Sequence, residues 1–184
     1  MNDFISLGLP TLLTDSLTAG GFTEPTKIQT QAIPKLLEGR DMLGIAQTGS
    51  GKTAAFGLPI LAGIMGLTGR PRPMTTRALI LAPTRELAVQ IEENLRKFAG
   101  SKMKLDTVLV LGGVSRYHQV GKIAKGVDVV VATPGRLKDL MDDNKIRLNE
   151  TRWLVLDEAD RMLDMGFIAP VRAIAKQIGL RRQT

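Results

Sequence analysis

The chain has 184 residues, of which 43% are hydrophobic and 23% are charged, a composition typical of one soluble globular domain. It contains no cysteine and only one histidine, His118, which excludes disulfides, thiolate metal sites and metal sites built from several histidines. The net charge of +7 favours a polyanionic partner, and because the chain shows neither a secretory leader nor a long apolar run, we expect a cytoplasmic protein without membrane contact.

The amino-terminal residues have the pattern of two short helices. Pro10 suits the start of a helix that ends at Gly20, and a second helix is predicted after Pro25. We expect residues 1–39 to form an amino-terminal helical part and residues 40–184 to form the core of a single domain.

The segment from Ala46 to Thr53 has the spacing of a phosphate-binding loop. Gly49 and Gly51 permit backbone angles that other residues avoid, and they leave the main-chain N–H groups accessible to a polyphosphate. Lys52 can reach the outer phosphates, and the Thr53 hydroxyl can bind a magnesium ion. The alternative interpretation is a glycine-rich turn between a strand and a helix.

Short continuous apolar runs predict strands that are buried on both faces. They cover residues 42–45, 78–81, 108–111, 127–132 and 154–156. Helical segments separate these runs, most clearly residues 86–99, in which apolar residues recur on one face. The alternation predicts an α/β fold with a doubly wound, mostly parallel sheet flanked by helices, with ligands at the carboxyl ends of the strands.

Two adjacent carboxylates, Asp157 and Glu158, follow the last predicted strand. Asp157 at this position can hold magnesium opposite Thr53, and Glu158 can orient or deprotonate an attacking water. The alternative is an acidic helix start in which Asp160 caps the helix.

With both segments considered together, the sequence resembles the amino-terminal RecA-like domain of DEAD-box ATP-dependent RNA helicases, of a bacterial type. The residues Asp157-Glu158-Ala159-Asp160 spell the motif that names the family, and agreement extends over almost the whole chain from Phe4. The resemblance implies ATP and Mg²⁺ as cofactors, ATP hydrolysis as the reaction, and Lys52, Asp157 and Glu158 as catalytic residues.

In this family, the segment from Gly21 to Gln29 resembles the one that recognises adenine. Phe22 offers an aromatic face to a base, and the Gln29 amide has a donor and an acceptor that match the N6 and N7 edge of adenine. Without the resemblance, Phe22 reads as a core residue and Gln29 as a polar helix residue. The predicted nucleotide-binding residues are Phe22, Thr26, Gln29, Thr48, Gly49, Ser50, Gly51, Lys52 and Thr53.

Three further segments, each following a predicted strand, match motifs that contact RNA in this family. Their predicted RNA-binding residues are Thr84, Arg85, Gly112, Gly113, Thr133, Gly135 and Arg136. The hydroxyls, guanidiniums and backbone N–H groups of these segments suit phosphates, so the resemblance implies sequence-independent binding of single-stranded or duplex RNA through its backbone. Taken one at a time, Thr84 and Thr133 read as helix caps and the two glycines as a turn.

The family carries a further strand with a Ser-Ala-Thr motif and a second RecA-like domain, and we expect both beyond Thr184. The chain itself is then expected to be a monomer that binds adenine nucleotide weakly, hydrolyses ATP very slowly or not at all, and does not unwind RNA. We also expect an open position in its sheet between the phosphate-loop strand and the strand ending at Asp157. Two alternatives stay open, another ATPase or translocase with the same loop, and a nucleotide-dependent RNA-binding module without catalysis.

Overall fold

A computed structural model describes residues 3–47, 49–179 and 182–184 and contains two compact units. The first unit comprises Met1–Thr68 and Glu93–Leu105, and the second comprises Gly69–Glu92 and Asp106–Thr184. Of the residues predicted for the functional site, Thr48 lies outside the described part of the chain.

The first unit is built from helices. A 3-10 helix, Asp3–Leu7, is followed by α1 (Thr11–Ala19), α2 (Lys27–Leu37) and α3 (Lys52–Met65), and the end of α4 (Arg85–Ala99) also belongs here. The two predicted amino-terminal helices are confirmed, and α2 packs against α3. The fully buried side chains of this unit include Phe4, Leu13, Leu17, Ile33, Leu58 and Leu61.

The second unit contains a four-stranded sheet. The strands β1 (Thr76–Leu81), β2 (Thr107–Val110), β3 (Val127–Ala132) and β4 (Trp153–Leu156) lie in the order β2-β3-β1-β4, and every neighbouring pair is parallel. The helices of this unit are the start of α4, α5 (Arg116–Ile123), α6 (Pro134–Asp142), α7 (Ala159–Asp164) and α8 (Ile168–Gln177). The predicted parallel α/β fold is therefore confirmed, as are four of the five predicted strands.

The centre of the sheet is apolar throughout, as expected for strands covered on both faces. Leu79 in β1 pairs with Val130 in β3 and Leu154 in β4, and all three are buried. The described part of the chain has no helix long and apolar enough to cross a membrane.

The strand predicted at residues 42–45 is wrong for this structure. Residues 41–47 form no regular element, and the side chains of Leu43 and Ile45 are 89% and 90% exposed. A strand needs a hydrogen-bonded neighbour to satisfy its backbone groups, and no described strand pairs with this segment. At the edge of β4 that faces away from β1, the described residues form one isolated parallel bridge, between Trp153 and Gln183.

Gly126, immediately before β3, supports a specific prediction. It has a φ of 77°, and a Cβ atom there would lie 2.4 Å from the carbonyl oxygen of Pro71 and 2.5 Å from that of Arg72. We expect Gly126→Ala to lower the free energy of unfolding by about 2–4 kcal/mol, because it adds backbone strain to a steric clash. Chemical denaturation of the purified chain measures this difference.

Gly121→Ala is the matched control, since Gly121 lies inside α5 and an added Cβ there meets no atom within 4 Å. This variant should be more stable than the unaltered chain by about 0.5–1 kcal/mol, because alanine favours the helix over the unfolded chain. Equal stabilities for the two variants would contradict the packing at Gly126.

Candidate nucleotide and nucleic-acid sites

The phosphate loop lies directly before α3 in the first unit. Gly49 and Gly51 have φ values of 82° and 90°, so both use the left-handed conformation that glycine adopts without strain. A side chain at Gly51 would also place its Cβ 2.4 Å from the Nε2 atom of Gln29. The loop therefore requires glycine at position 51 for both its backbone angle and its packing.

Lys52, the first residue of α3, is folded back over the loop. Its ammonium group donates hydrogen bonds to the carbonyl oxygens of Ala46 at 2.5 Å and Gln47 at 3.3 Å. The Ser50 hydroxyl is buried and has no hydrogen-bond partner among the described residues. An ammonium, an unpaired hydroxyl and the free N–H groups at the start of a helix together form a donor set that fits phosphate oxygens.

Thr26 and Gln29 are bound to the same loop. The Thr26 hydroxyl donates to the Ser50 carbonyl at 2.8 Å, and the Gln29 amide donates to the Gly51 carbonyl at 3.1 Å. Gln29 also accepts a hydrogen bond from the Thr26 backbone N–H at 2.9 Å, which closes a capping box at the start of α2. The structure therefore brings the predicted adenine-recognition residues next to the predicted phosphate-binding residues.

The Gln29 side chain retains hydrogen-bonding capacity for a ligand, although the residue is only 5% exposed. A primary amide has two N–H donors and two acceptor lone pairs, and these contacts use one of each. One donor and one acceptor remain, which is the pair that a purine edge requires. Adenine recognition by Gln29 stays a prediction.

Phe22 is half-buried near the start of the predicted adenine segment. Its ring meets Phe98 edge to face, with 5.6 Å between centroids, and the Lys97 ammonium lies 4.7 Å from the ring centroid. The interpretation of Phe22 as a packing residue is thus partly correct. These contacts fix the orientation of a ring that still has exposed surface.

Asp157 and Glu158, the two carboxylates predicted to be catalytic, follow β4 directly in the second unit. The Asp157 backbone N–H donates to the Leu81 carbonyl at 3.0 Å, and Asp157 is 8% exposed. Glu158 has a φ of 51° and a ψ of 50°, a left-handed conformation that is costly for a residue with a side chain. Its N–H donates to the Asp157 carboxylate at 3.1 Å, and its own carboxylate accepts a hydrogen bond from Arg161 at 3.3 Å.

This geometry corrects one interpretation of the acidic segment. Glu158, and not Asp160, occupies the cap position of α7, while Asp160 is exposed in the first helical turn. A strained residue held by two contacts is typical of functional sites, which agrees with the catalytic role predicted for Glu158. The convergence of Lys52, Thr53 and Asp157 on one metal-bound polyphosphate stays a prediction.

The three segments predicted to bind RNA share one edge of the sheet, as expected. They follow the neighbouring parallel strands β1, β2 and β3. A Cβ atom built at Gly113 would lie 2.7 Å from the Arg85 guanidinium, and the Arg136 guanidinium donates to the Val114 carbonyl at 3.3 Å. The loop after β2 is therefore flanked by both arginines.

The threonines of these segments differ in their local roles. The Thr84 hydroxyl accepts a hydrogen bond from the Leu87 N–H at 3.3 Å, so Thr84 does cap α4. Thr133 is the N-cap residue of α6, but its side chain makes no capping hydrogen bond. Gly135 lies in the first turn of α6 with open space around it. RNA binding by these residues stays a prediction.

Two neighbouring residues of this edge were missed by the sequence analysis. Gln119 in α5 is 4% exposed and donates to the Leu111 carbonyl at 2.9 Å, so it fixes the loop that contains Gly112 and Gly113. Tyr117 in the same helix is 84% exposed. A cavity of about 520 Å³ opens beside Arg85, with Gln119 in its lining. The aromatic residue shortly after the two glycines was the available signal for Tyr117.

Comparison with known proteins identifies the family of this chain. Residues 26–184 match the family model described as DEAD/DEAH box helicase. The chain is 46% identical over 189 residues to DEAD-box ATP-dependent RNA helicase 20 of Arabidopsis thaliana, covering 100% of this chain and 36% of the relative. It is 45% identical over 190 residues to ATP-dependent RNA helicase DBP2 of Vanderwaltozyma polyspora, covering 100% of this chain and 42% of that relative.

The fold has a solved counterpart in a DEAD box protein from the hyperthermophile Methanococcus jannaschii. The TM-score is 0.88 at 32% identity, and the match covers 98% of this chain and 48% of that chain. The chain thus spans less than half the length of each of these proteins. Because the family model covers most of the sequence, the chain belongs to the DEAD/DEAH box helicase family.

Proposed function

We propose that this chain is the ATP-binding and RNA-binding amino-terminal domain of an ATP-dependent RNA helicase. In the full protein, ATP hydrolysis would drive local separation of RNA duplexes. The observation that carries this proposal is the phosphate loop, which contains left-handed glycines, Lys52 and a buried Ser50 hydroxyl without a partner among the described residues. The Ser50 and Gly51 carbonyls of this loop accept hydrogen bonds from Thr26 and Gln29.

The phosphates and the adenine base of ATP are assigned to different residues of this site. Lys52 exchanges its two carbonyl contacts for phosphate oxygens, while the backbone N–H groups at the start of α3 receive the remaining phosphate charge. The remaining donor and acceptor of Gln29 select adenine, and Phe22 supports the base. This assignment also explains why hydrogen bonds join the adenine segment directly to the phosphate loop.

The metal expected with ATP is Mg²⁺, held by Thr53 and Asp157. Among the described residues, no group of three Asp, Glu, His or Cys side chains could bind a metal ion. A site with only Thr53 and Asp157 as protein ligands suits Mg²⁺, because this ion keeps several waters and binds through few protein ligands together with substrate phosphates. When bound, the ion neutralises phosphate charge, and Glu158 orients or deprotonates the attacking water.

RNA is proposed to bind at the edge of the sheet formed by the segments after β1, β2 and β3. Arg85 and Arg136 supply charge, and the exposed loop at Gly113 supplies backbone N–H groups. Because guanidiniums and backbone N–H groups bind phosphate oxygens, we expect binding through the phosphate backbone, with a strong dependence of the affinity on salt.

The Lys52→Ala variant tests the nucleotide site. We expect its affinity for ATP with Mg²⁺ to fall by about 10- to 150-fold, because charge-assisted hydrogen bonds to phosphate are lost. Isothermal titration calorimetry measures the affinity. Lys102→Ala is the control, because the one ion pair of Lys102 within the described part of the chain is with Asp15, and both side chains are exposed. Unchanged ATP affinity of Lys52→Ala would overturn the assignment of the loop.

The Gln29→Ala variant separates this proposal from another type of ATPase with the same loop. The ratio of ATP to GTP affinity is the relevant readout, since loosening of the loop affects both nucleotides equally. A ratio close to one in the variant, against a clear preference for ATP in the unaltered chain, supports adenine recognition by Gln29. An unchanged preference would assign base selection to other residues.

A further inference from the structure

The loop after β2 leads into an exposed surface that carries an aromatic pair. Residues 113–118 are all exposed, and the Tyr117 side chain is 84% accessible. Its ring lies edge to face against the His118 ring, with 6.0 Å between centroids and an interplanar angle of 76°. These are the only tyrosine and the only histidine of the chain. Little of the tyrosine ring is buried, so folding gains little from an aromatic residue there.

The position of this pair is set by contacts on the proposed RNA-binding edge. Tyr117 is the second residue of α5, three residues after Val114, whose carbonyl accepts the hydrogen bond from Arg136. Gln119 fixes the same helix by donating to the Leu111 carbonyl from a buried position. The aromatic pair is therefore held next to a loop flanked by two arginines.

The charge around the pair favours a polyanion. Helix α5 contains Arg116, His118 and Lys122 and no acidic residue, and Lys125 follows shortly after it. Arg116 forms an ion pair with Asp143, whereas no ion pair joins Lys122 to another described residue. An exposed ring in cationic surroundings is the combination that binds single-stranded nucleic acid, where the cations hold phosphates and the ring stacks on a base.

We infer that Tyr117, supported by His118, is a stacking platform for one unpaired base of the RNA strand whose phosphates bind at Arg85 and Arg136. This inference rests on the proposed function and adds a base contact to binding through the backbone. Because every base has an aromatic face, the contact holds a nucleotide without reading its sequence. It also requires that base to be unpaired, so it favours a single strand over a duplex.

Binding of a fluorescently labelled decamer of adenosine ribonucleotides to the purified chain tests the inference. We expect Tyr117→Ala to weaken binding by about 5- to 150-fold, the range found when stacking aromatic residues are replaced by alanine. Tyr117→Phe keeps the ring and should bind within about twofold of the unaltered chain. Fluorescence anisotropy at fixed salt measures all three affinities.

Two controls isolate the stacking contact. Leu163→Ala removes another exposed apolar side chain, 52% accessible on α7, and should leave the affinity unchanged. An oligomer without bases should bind the unaltered chain and Tyr117→Ala equally, because phosphate contacts alone remain. In addition, the single histidine gives one set of imidazole NMR signals, which the decamer should shift in the unaltered chain and shift less in Tyr117→Ala.

Arg85→Ala separates failure of this inference from failure of the proposed function. If Arg85→Ala weakens RNA binding while Tyr117→Ala binds like the unaltered chain, the stacking platform is overturned and the RNA-binding edge stands. If the chain binds no RNA, or if neither substitution alters binding, the proposed RNA-binding edge fails and the stacking platform fails with it.

Discussion

In the proposed full-length helicase, we expect the Glu158→Gln variant to hydrolyse ATP about 10²- to 10⁴-fold more slowly than the unaltered protein, because it lacks the carboxylate that activates water. The amide has nearly the same size and keeps the backbone unchanged, so the affinity for ATP should change by less than about threefold. Single-turnover hydrolysis, with protein in excess over labelled ATP, measures the chemical step separately from binding. A rate within threefold of the unaltered protein would remove Glu158 from the reaction.

The ion pair with Arg161 needs its own control. Arg161→Ala removes the partner at 3.3 Å and leaves the Glu158 carboxylate in place. Because the Arg161 side chain is largely exposed, this variant should retain both its stability, within about 1 kcal/mol, and most of its activity. A large loss of rate in Arg161→Ala would instead indicate that the arginine positions Glu158 for the reaction.

The left-handed backbone conformation of Glu158 predicts a difference in stability between two variants at this position. Glu158→Gly and Glu158→Ala both remove the carboxylate, but only glycine relieves the conformational strain at a φ of 51°. Glycine should therefore give the more stable protein, by about 1 kcal/mol, while both variants are equally impaired in hydrolysis. This pattern would show that stability is given up at this position to hold a catalytic carboxylate.

The sequence predicted the fold well where a strand is covered on both faces. Continuous apolar runs located all four strands to within two residues, because a strand buried on both faces carries mostly apolar side chains. The prediction failed for residues 42–45, which are equally apolar but form no strand. An apolar run indicates only that a segment prefers to be buried. A strand forms in that segment only if a neighbouring strand also supplies its hydrogen bonds.

The site was predictable in its residue types and not in its contacts. The spacing of Gly49, Gly51 and Lys52 identified the phosphate loop, yet nothing in that spacing shows that Gln29 would pack against Gly51. The left-handed conformation of Glu158 was equally hidden, since a non-glycine residue gives no signal for positive φ. Contacts between segments distant in the sequence depend on tertiary packing, which local patterns do not encode.

A buried ion pair lies at the amino-terminal ends of the strands, at the end of the sheet opposite the proposed RNA-binding edge. Arg77 and Asp128 are joined at 2.9 Å, with side chains only 13% and 8% exposed. The Asp128 carboxylate also accepts the Asp106 N–H at 3.1 Å, and Arg77 donates to the Gly69 carbonyl at 2.7 Å. The pair therefore links the starts of β1 and β3 to the residue before β2.

We expect Asp128→Ala to lower the free energy of unfolding by about 3–5 kcal/mol, because it leaves the Arg77 guanidinium buried without its counter-charge. Chemical denaturation measures the change. Glu150→Ala is a closely matched control, since Glu150 pairs with Arg72 at 3.0 Å but the two side chains are 39% and 78% exposed. That variant should lose at most about 1 kcal/mol, because the ion pair it removes is exposed to solvent.

A second substitution keeps this prediction testable if Asp128→Ala does not fold. Arg77→Met combined with Asp128→Ala removes both charges, and it should recover part of the lost stability because the uncompensated charge is gone. The pair lies at the amino ends of the strands, whereas Asp157 and the proposed RNA-binding edge follow their carboxyl ends. The RNA affinity of the folded protein should consequently be the same in the double variant and in the unaltered chain. A loss of affinity would show that the Arg77–Asp128 pair positions the proposed RNA-binding edge as well as stabilising the sheet.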